Sequence, residues 1–379
     1  MPDTIKRTTG TKVAFGDVVQ LSKERSKDPE ADGFERYIGL EHLESSDLKV
    51  RSWGDLADGV TFTNVFRPGQ VLFGKRRAYQ RKVAVADFSG VCSGDIYVLE
   101  PKGEQLLPEL LPFICQSEPF YDYVISMSQG GLSPRVNWKA LAKYEFPLPP
   151  LEEQRRIAEV LQASEAACVS LSKLRDQAWK TNIANYKDVT GQSDSEWGVK
   201  TIKSACRIEN RLRKPLSSKV RSGMQGDYPY YGATGQLDSL AEYRLDGRYA
   251  LIGEDGDHFL KYSQQSMTQL VSGQFNVNNH AHVIAGTDQC STEWFYHYYR
   301  YRDVRKWLTK QGAGRLKLKK ATLEKMPIAV PPIKEQSKLV SRLESTADAV
   351  VAIEKRLHNC RSLQKQLIAN LLQKASEQE

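Results

Sequence analysis

The stretch PLPPLEEQRRIAEVL, Pro147–Leu161, recurs later in the chain as AVPPIKEQSKLVSRL, Ala329–Leu343. The two stretches align without a gap at an offset of 182 residues, and the match extends upstream to Gln129 and Gln311. Five pairs of positions are identical: Pro149/Pro331, Pro150/Pro332, Glu153/Glu335, Gln154/Gln336 and Leu161/Leu343. The chain is therefore an internal duplication.

Each copy of this segment predicts the end of a globular region and the start of a helix. Consecutive prolines cannot donate backbone hydrogen bonds and hold the preceding residue extended, so Leu148 and Val330 end their domains. Pro150 and Pro332 suit the first turn of a helix. The acidic residues that follow lie where the helix dipole favours negative charge.

Both predicted helices carry a stripe of residues at alternating three- and four-residue steps, which is typical of helices that pack against each other. The first stripe comprises Ile157, Val160, Ser164, Ala167, Leu171, Leu174 and Ala178. The second comprises Leu339, Leu343, Thr346, Val350, Ile353, Leu357, Cys360, Gln364, Leu367 and Leu371. About 35 helical residues span about 50 Å, which favours a coiled coil over a helix lying on its own domain. Because the first helix leads to the second domain, its partner must return antiparallel.

A repeated globular region followed by LPPLEEQ or VPPIKEQ and a long helix resembles the specificity subunit of type I restriction-modification systems. The resemblance covers essentially the whole chain. It implies that each globular region is a target recognition domain that reads one half of a split double-stranded DNA site. It also implies that the helices dock two methyltransferase subunits, and that restriction or translocase subunits complete the complex. S-adenosylmethionine, ATP and Mg would then bind only to partner subunits, and this chain would not be an enzyme. A related fused-nuclease restriction system is the alternative.

We therefore predict an α+β fold with two globular α/β target recognition domains related by the repeat, separated by two long antiparallel helices that form a coiled-coil spacer. The predicted boundaries are 1–148, 149–187, 188–330 and 331–379. Alternating apolar segments predict strands at Tyr37–Leu43, Gly69–Phe73, Val83–Ala86, Ile96–Leu99, Tyr228–Tyr231, Tyr249–Ile252 and His280–Ile284. Helices are predicted within Leu107–Tyr123, broken at Pro112 and Pro119, and over Glu293–Leu308. Lys187–Glu196 is a predicted linker.

Composition indicates a cytoplasmic protein with no membrane segment. The chain has 379 residues, 40% of them hydrophobic, and no apolar run approaches membrane length. Its six cysteines are dispersed without a CxxC pair, so neither a disulfide framework nor a zinc site is expected. The net charge of +8 is compatible with a polyanionic partner.

Basic residues cluster at equivalent places in the two halves. Arg300–Lys320 contains nine basic residues and one acid. Gln129–Lys139 aligns with the second half of this run and has a glycine pair of its own. Glycines let a loop approach DNA closely, and basic side chains reach phosphates or base edges. Two such runs at matching positions favour DNA binding over solvated helix caps. The candidate DNA-binding residues are Lys75, Arg76, Arg77, Tyr79, Arg81, Arg135, Asn137, Lys139, Arg211, Arg213, Arg315, Lys317, Lys319 and Lys320.

An acidic loop, Gly253–His258, replaces the basic loop of the first half. Its carboxylates could accept hydrogen bonds from cytosine N4 or merely form turns. A metal-dependent nuclease built from Glu254, Asp255, Asp257, His258 and the His280/His282 pair is an alternative. The first half, however, lacks these residues. The prolines follow leucine and valine rather than Asn or Asp, which excludes the amino-methyltransferase motif, and the chain has no GxxxxGK[ST] phosphate loop.

A third interpretation is a coiled-coil scaffold that binds proteins rather than DNA. It explains the helices but not the paired basic loops. Under the DNA interpretation, apolar helix residues outside the seam should bind the methyltransferase subunits. The candidates are Val160, Leu161, Leu343, Val350, Val351, Ile368 and Leu372.

Overall fold

The computed structural model describes residues 10–45, 47–191, 197–311 and 315–373. The chain divides into two compact units, Met1–Leu171 with Arg356–Glu379, and Ser172–Lys355. Each of two 41-residue helices, Leu151–Gly191 and Ile333–Gln373, contributes to both units. The first helix continues to Gly191, beyond the predicted end at residue 187, and the rest of the predicted linker, 192–196, lies outside the described residues.

The first unit contains three sheets. Its strands are β1 Thr11–Ala14, β2 Val19–Leu21, β3 Arg36–Ile38, β4 Gly54–Asp55, β5 Asn64–Phe66, β6 Val71–Gly74, β7 Val83–Val85, β8 Gly90–Cys92, β9 Ile96–Pro101 and β10 Glu145–Leu148. Its helices are α1 Phe15–Val18, α2 Leu111–Gln116, α3 Glu118–Ser126, α4 Trp138–Leu141 and the start of α5 Leu151–Gly191. The sheet orders are β1-β10, β2-β9-β6-β7 and β4-β3-β8-β5.

The second unit is built around a six-stranded sheet. Its strands are β11 Val199–Thr201, β12 Arg207–Ile208, β13 Gln225–Tyr231, β14 Gln236–Leu240, β15 Leu245–Gly253, β16 Thr268–Val277, β17 Ala281–Ala285, β18 Thr309–Gln311, β19 Arg315–Lys317 and β20 Pro327–Ala329. Its helices are α6 Ile202–Ala205, α7 Ser218–Ser222, α8 Thr292–Arg300, α9 Lys320–Leu323 and most of α10 Ile333–Gln373. The sheet orders are β12-β17-β15-β16-β13-β14, β11-β20 and β18-β19.

The internal repeat is visible in the strand pairing. The antiparallel order β2-β9-β6-β7 of the first unit recurs in the second as β12-β17-β15-β16. In each unit a further antiparallel pair, β1-β10 or β11-β20, joins the start of the repeat to the strand before the long helix. The predicted two-domain α+β fold is confirmed.

Several predicted elements differ from the observed ones. The strand predicted over Tyr37–Leu43 ends at Ile38. Pro112 and Pro119 do not break helices but lie in the first turns of α2 and α3, where a proline's missing N–H needs no partner. The helix predicted over Glu293–Leu308 ends at Arg300, because the Asp303 side chain accepts the backbone N–H of Arg305 and competes with helix formation.

The two long helices run antiparallel. In the first unit Gln364 Nε2 donates a hydrogen bond to Glu165 Oε2, and the Cys168 and Cys360 Sγ atoms lie 2.9 Å apart. In the second unit Thr346 Oγ1 donates to Asn182 Oδ1 at 2.9 Å, and Arg342 Nη2 lies 3.2 Å from Asp188 Oδ2. Within each unit, later residues of α5 thus meet earlier residues of α10, which confirms the predicted orientation.

The buried face of α5 differs from the predicted stripe. Val160 and Leu174, both assigned to the seam, are 48% and 51% exposed. The buried residues are instead Gln154, Ala158, Leu161, Cys168, Asn182, Tyr186, Val189 and Thr190. Polar side chains at Gln154 and Asn182 belong to this face because they are hydrogen-bonded inside it. The predicted stripe lies at the margin of the buried face, since Ile157, Ser164, Leu171 and Ala178 are half-buried whereas Val160, Ala167 and Leu174 are exposed.

The glutamine of the repeated motif explains why the motif recurs. In the first unit the buried Gln154 Nε2 donates to the carbonyls of Gln105 and Pro149 at 2.7 and 2.8 Å, and its Oε1 accepts the N–H of Leu107 at 2.9 Å. Gln336 repeats this arrangement in the second unit. Its three partners are the Gln289 carbonyl, the Pro331 carbonyl and the Ser291 N–H. One side chain thus joins the start of each long helix to the loop before a short helix of its domain.

Candidate nucleic-acid interface

Three of the predicted DNA-binding arginines converge in the first unit. Arg76 and Arg77 follow the buried strand β6, and Arg135 lies in the loop before α4. Both Arg76 and Arg135 bind Asp95, with nitrogen to oxygen distances of 3.1 and 2.9 Å. The Ser133 hydroxyl accepts hydrogen bonds from Arg76 and Arg77. We call these four side chains and Asp95 the arginine cluster.

Asp95 orients the cluster without neutralising it. Partial burial alone would raise the pKa of Asp95, but hydrogen bonds from Arg135 and Arg76 hold it below its usual value. The carboxylate therefore remains charged at neutral pH and offsets one of three guanidinium charges. The pKa of Arg135 is raised by its bond to Asp95. Arg77 and Arg135 are exposed, so an excess of positive charge faces solvent.

The second unit has the same backbone frame at the matching place. In the first unit the N–H of Val136 donates to the Lys75 carbonyl, and the N–H of Arg77 donates to the Pro134 carbonyl. In the second unit the N–H of Leu318 donates to the backbone carbonyl of Glu254, and the N–H of Gly256 donates to the Leu316 carbonyl. In each unit the last four residues of the strand that precedes this frame are buried.

The charges on this frame are exchanged between the repeats. On this frame Asp255 takes the place of Arg76, and His280 takes the place of Asp95. The first unit therefore pairs a cation with an acid, and the second pairs an acid with a histidine. Asp255 lies 2.8 Å from Arg315 and 2.9 Å from His280. We call Arg213, Glu254, Asp255, His280, Arg315 and Lys317 the mixed cluster.

Glu254 is likewise held by cations of its own unit. It bonds Arg213 at 2.6 Å and Lys317 at 3.2 Å. Burial would raise the pKa of Glu254, yet the hydrogen bonds from Arg213 and Lys317, together with the nearby His282, lower it overall. These carboxylates are therefore more than simple turn formers, because basic side chains pair with them.

The geometry does not favour the metal-nuclease alternative. Both nitrogens of His282 are used, since Nδ1 bonds Asn210 and Nε2 donates to the Leu318 carbonyl, each at 2.8 Å. Burial lowers the pKa of His282 and of His258. Among the described residues, no group of three or more His, Cys, Asp and Glu side chains could hold a metal ion.

The other predicted contacts lie outside the two clusters. Arg81 forms an ion pair with Glu118 at 2.5 Å, Arg211 pairs with Glu209 at 3.1 Å, and Lys320 pairs with Glu324 at 3.7 Å. Asn137 caps α4 by accepting the N–H of Ala140, so its oxygen serves the helix. Exposed positions are held by Tyr79, Lys139 and Lys319. Lys75 lies over the Tyr97 ring at 4.7 Å.

Four of the seven predicted partner-binding residues are wrongly assigned. Leu161, Leu343, Val350 and Ile368 are at most 4% exposed, because they form the internal face of the helices. Val160 and Val351 are exposed, at 48% and 60%. The side chain of Leu372 lies outside the described residues.

None of the described helices is long and apolar enough to cross a membrane.

Family comparison agrees with the duplication. A family model for the type I restriction modification DNA specificity domain matches residues 11–178 and again 194–359. The chain belongs to this family. A Haemophilus influenzae protein named as a type I restriction enzyme specificity subunit is 34% identical over 167 residues, which cover 44% of this chain and 41% of that protein. The type I restriction enzyme EcoDI specificity subunit of Escherichia coli is 30% identical over 139 residues, 36% of this chain and 31% of that one. The matched segments thus span less than half of these relatives.

Solved structures share the fold of the two specificity domains. A type I restriction-modification S subunit from M. genitalium aligns over 98% of both chains with a TM-score of 0.66 and 15% identity. A chain from a structure of type I R-M complex assembly and conformational transition aligns over 98% of this chain and 99% of that one, with a TM-score of 0.61 and 19% identity.

The first specificity domain also contains site residues that the sequence did not indicate. Asp95 and Ser133 organise the arginine cluster, yet neither stands out among the acids and serines of the chain. Their position within the repeat is the usable signal. The Asp95 carbonyl accepts the N–H of Lys75 as the His280 carbonyl accepts that of Glu254, so a structural alignment of the two specificity domains identifies Asp95.

Proposed function

We propose that the chain is a DNA sequence-specificity subunit and that each specificity domain reads one half of a bipartite duplex site. The observation that carries the proposal is that the arginine cluster and the mixed cluster, which both contain basic side chains, are built on the same backbone frame. Arginine binds guanine O6 and N7 bidentately, and both arginine and lysine bind phosphates. We assign the first half-site to the domain in 1–148 and the second to the domain in 188–330.

The chain would supply recognition and no chemistry of its own. Methyl transfer with S-adenosylmethionine, and ATP- and Mg-dependent restriction, would belong to methyltransferase and restriction subunits. We propose that two methyltransferase subunits bind the long helices, 149–187 and 331–379. Exposed apolar side chains support this, since Val351 and Leu363 are each 60% exposed.

Filter binding of the full chain to random duplex DNA at two salt concentrations tests DNA recognition. We expect affinity to fall steeply with salt, by a slope of about 0.9 per phosphate contact. Arg135→Ala should reduce affinity, whereas Arg155→Ala, an exposed arginine of the long helix, should not. No affinity, or affinity that ignores salt, would favour the protein-binding scaffold instead.

Selection of bound duplexes then tests the assignment to half-sites. Changes at Arg76, Arg77 or Arg135 should relax the first half-site, and changes at Arg315 or Lys317 the second. Each base contact should contribute roughly 1–3 kcal/mol of discrimination. Relaxation of the opposite half-site would contradict the assignment.

Co-purification with a methyltransferase subunit tests docking. Val351→Lys should abolish binding because it places a charge in an apolar contact. Val199→Lys, at a valine that is 50% exposed in β11, is the matched control. Equal recovery with both variants would show that the helix surface around Val351 does not bind the subunit.

A further inference from the structure

An exposed leucine directly precedes Ser133 of the arginine cluster. Leu132 is 97% exposed, although leucine normally avoids water. It belongs to the segment Gln129–Arg135, which we call the Leu132 loop. The flanking arginines are Arg76, Arg77 and Arg135. A single exposed leucine needs no explanation on most surfaces, but this one adjoins Ser133, whose hydroxyl two arginines bind.

The Leu132 loop is held in place at its base. Gln129 and Arg135 exchange two backbone hydrogen bonds of 2.9 Å, and the N–H of Arg77 donates to the Pro134 carbonyl at 2.7 Å. Gly130 has a φ of 112°, which a residue with a side chain rarely adopts. The loop therefore turns away from the core and presents its leucine outward instead of folding it back.

Two arginines fix the outer part of the loop. The Ser133 hydroxyl next to Leu132 accepts bonds of 3.2 Å from Arg76 and from Arg77. Because these bonds restrain the loop before any ligand binds, little additional ordering is required when the leucine is buried.

We propose that Leu132 inserts between two stacked bases of the half-site bound by the first specificity domain. This inference rests on the proposed function. Proteins that bend DNA commonly insert an apolar side chain into a base step while nearby arginines bind the phosphates. The Leu132 loop has both components, an exposed apolar tip and a cationic surround. The cluster would attract the polyanion, and burial of the leucine would offset the cost of unstacking.

Charge decides between DNA and a protein as the occupant. A partner protein that buried Leu132 would also have to bury or pair the three guanidinium groups around it, and unpaired buried charge is costly. Duplex DNA presents phosphates on both sides of every base step, which pair with these groups.

The second repeat has no leucine at the aligned sequence position. The residue 182 positions after Leu132 is Gly314, which lies outside the described residues. Glycine has no side chain to insert. The proposal therefore predicts unstacking in only one of the two half-sites.

The test uses the full chain and duplexes selected for binding, with 2-aminopurine in place of successive adenines. Wild-type protein should increase 2-aminopurine fluorescence at one step of the first half-site and at none in the second. Leu132→Ala should abolish that increase and weaken binding roughly 10-fold, with the salt slope unchanged. Leu132→Met should retain most of both. Leu237→Ala, at a leucine of β14 that is 54% exposed, should behave as wild type.

The outcomes separate this inference from the proposed function. If the wild-type chain binds no DNA, the proposed function fails and the inference with it. If Leu132→Ala binds DNA with unchanged affinity and fluorescence, insertion is refuted while DNA recognition stands. If that variant instead loses only a co-purified protein subunit, Leu132 contacts a protein and the insertion is likewise refuted.

Discussion

Replacement of Gln154 by alanine should destabilise the first unit more than any exposed substitution in the same motif. The side chain is 1% exposed, and its amide satisfies the carbonyls of Gln105 and Pro149 and the N–H of Leu107. Alanine leaves all three groups without this partner. Leu107 and Pro149 are half-buried and Gln105 is exposed, so water can reach some of these groups and we expect a loss of about 1–3 kcal/mol.

Glu153→Ala is the matched control in the adjacent position. Glu153 lies 3.7 Å from Arg156 in a pair that is partly exposed to solvent, and such pairs contribute about 0–1 kcal/mol. Gln154→Glu tests the two bonds that the side-chain N–H₂ donates separately from the one bond that its oxygen accepts. A carboxylate can accept the Leu107 N–H but cannot donate to either carbonyl, and its charge would be buried, so this variant should be as unstable as the alanine variant.

Urea unfolding of the full chain measures the loss, and amide hydrogen exchange locates it. The Leu107 amide should lose protection in Gln154→Ala, and the Ser291 amide should lose it in Gln336→Ala, because these two N–H groups bond the two glutamines. A change below about 0.5 kcal/mol in Gln154→Ala, or wild-type stability in Gln154→Glu, would refute the anchoring role.

Two further predictions concern the pH dependence of stability due to His297 and a cross-link between Cys168 and Cys360. Burial and Arg300 lower the pKa of His297 from 6.5 to about 3, so below pH 6.5 the unfolded chain binds a proton at this group and the folded chain does not. The free energy of unfolding is therefore at its full value above pH 6.5 and decreases as pH falls toward 3. At pH 4.5 wild type should have lost about 2–3 kcal/mol through this group, and His297→Asn should lose correspondingly less in urea unfolding; equal losses would contradict the assignment. Diamide should join Cys168 and Cys360, whose Sγ atoms are 2.9 Å apart. Peptide mapping should find the cross-link in wild type and not in Cys168→Ser, and its absence from wild type would contradict the helix register.

The duplication, the fold class and the antiparallel helices were predictable because each depends on local chemistry that repeats. Paired prolines end a domain wherever they occur, and an acidic first turn favours a helix start in both copies. The loops that carry Arg76 and Arg135 were also predictable as basic segments, because charge is a property of composition.

The pairing of charges and the buried faces required the tertiary structure. Asp95 lies 40 residues from Arg135 and Asp255 lies 60 residues from Arg315, and only the sheet order brings each pair together. Gln154 and Asn182 belong to the buried face of α5 because distant partners satisfy their hydrogen bonds. The sequence alone thus determined the repeat and the location of its basic loops. Which charges remain exposed and which helix face is internal were decided by contacts between residues far apart in the chain, since a side chain's partner is set by packing and not by its neighbours in sequence.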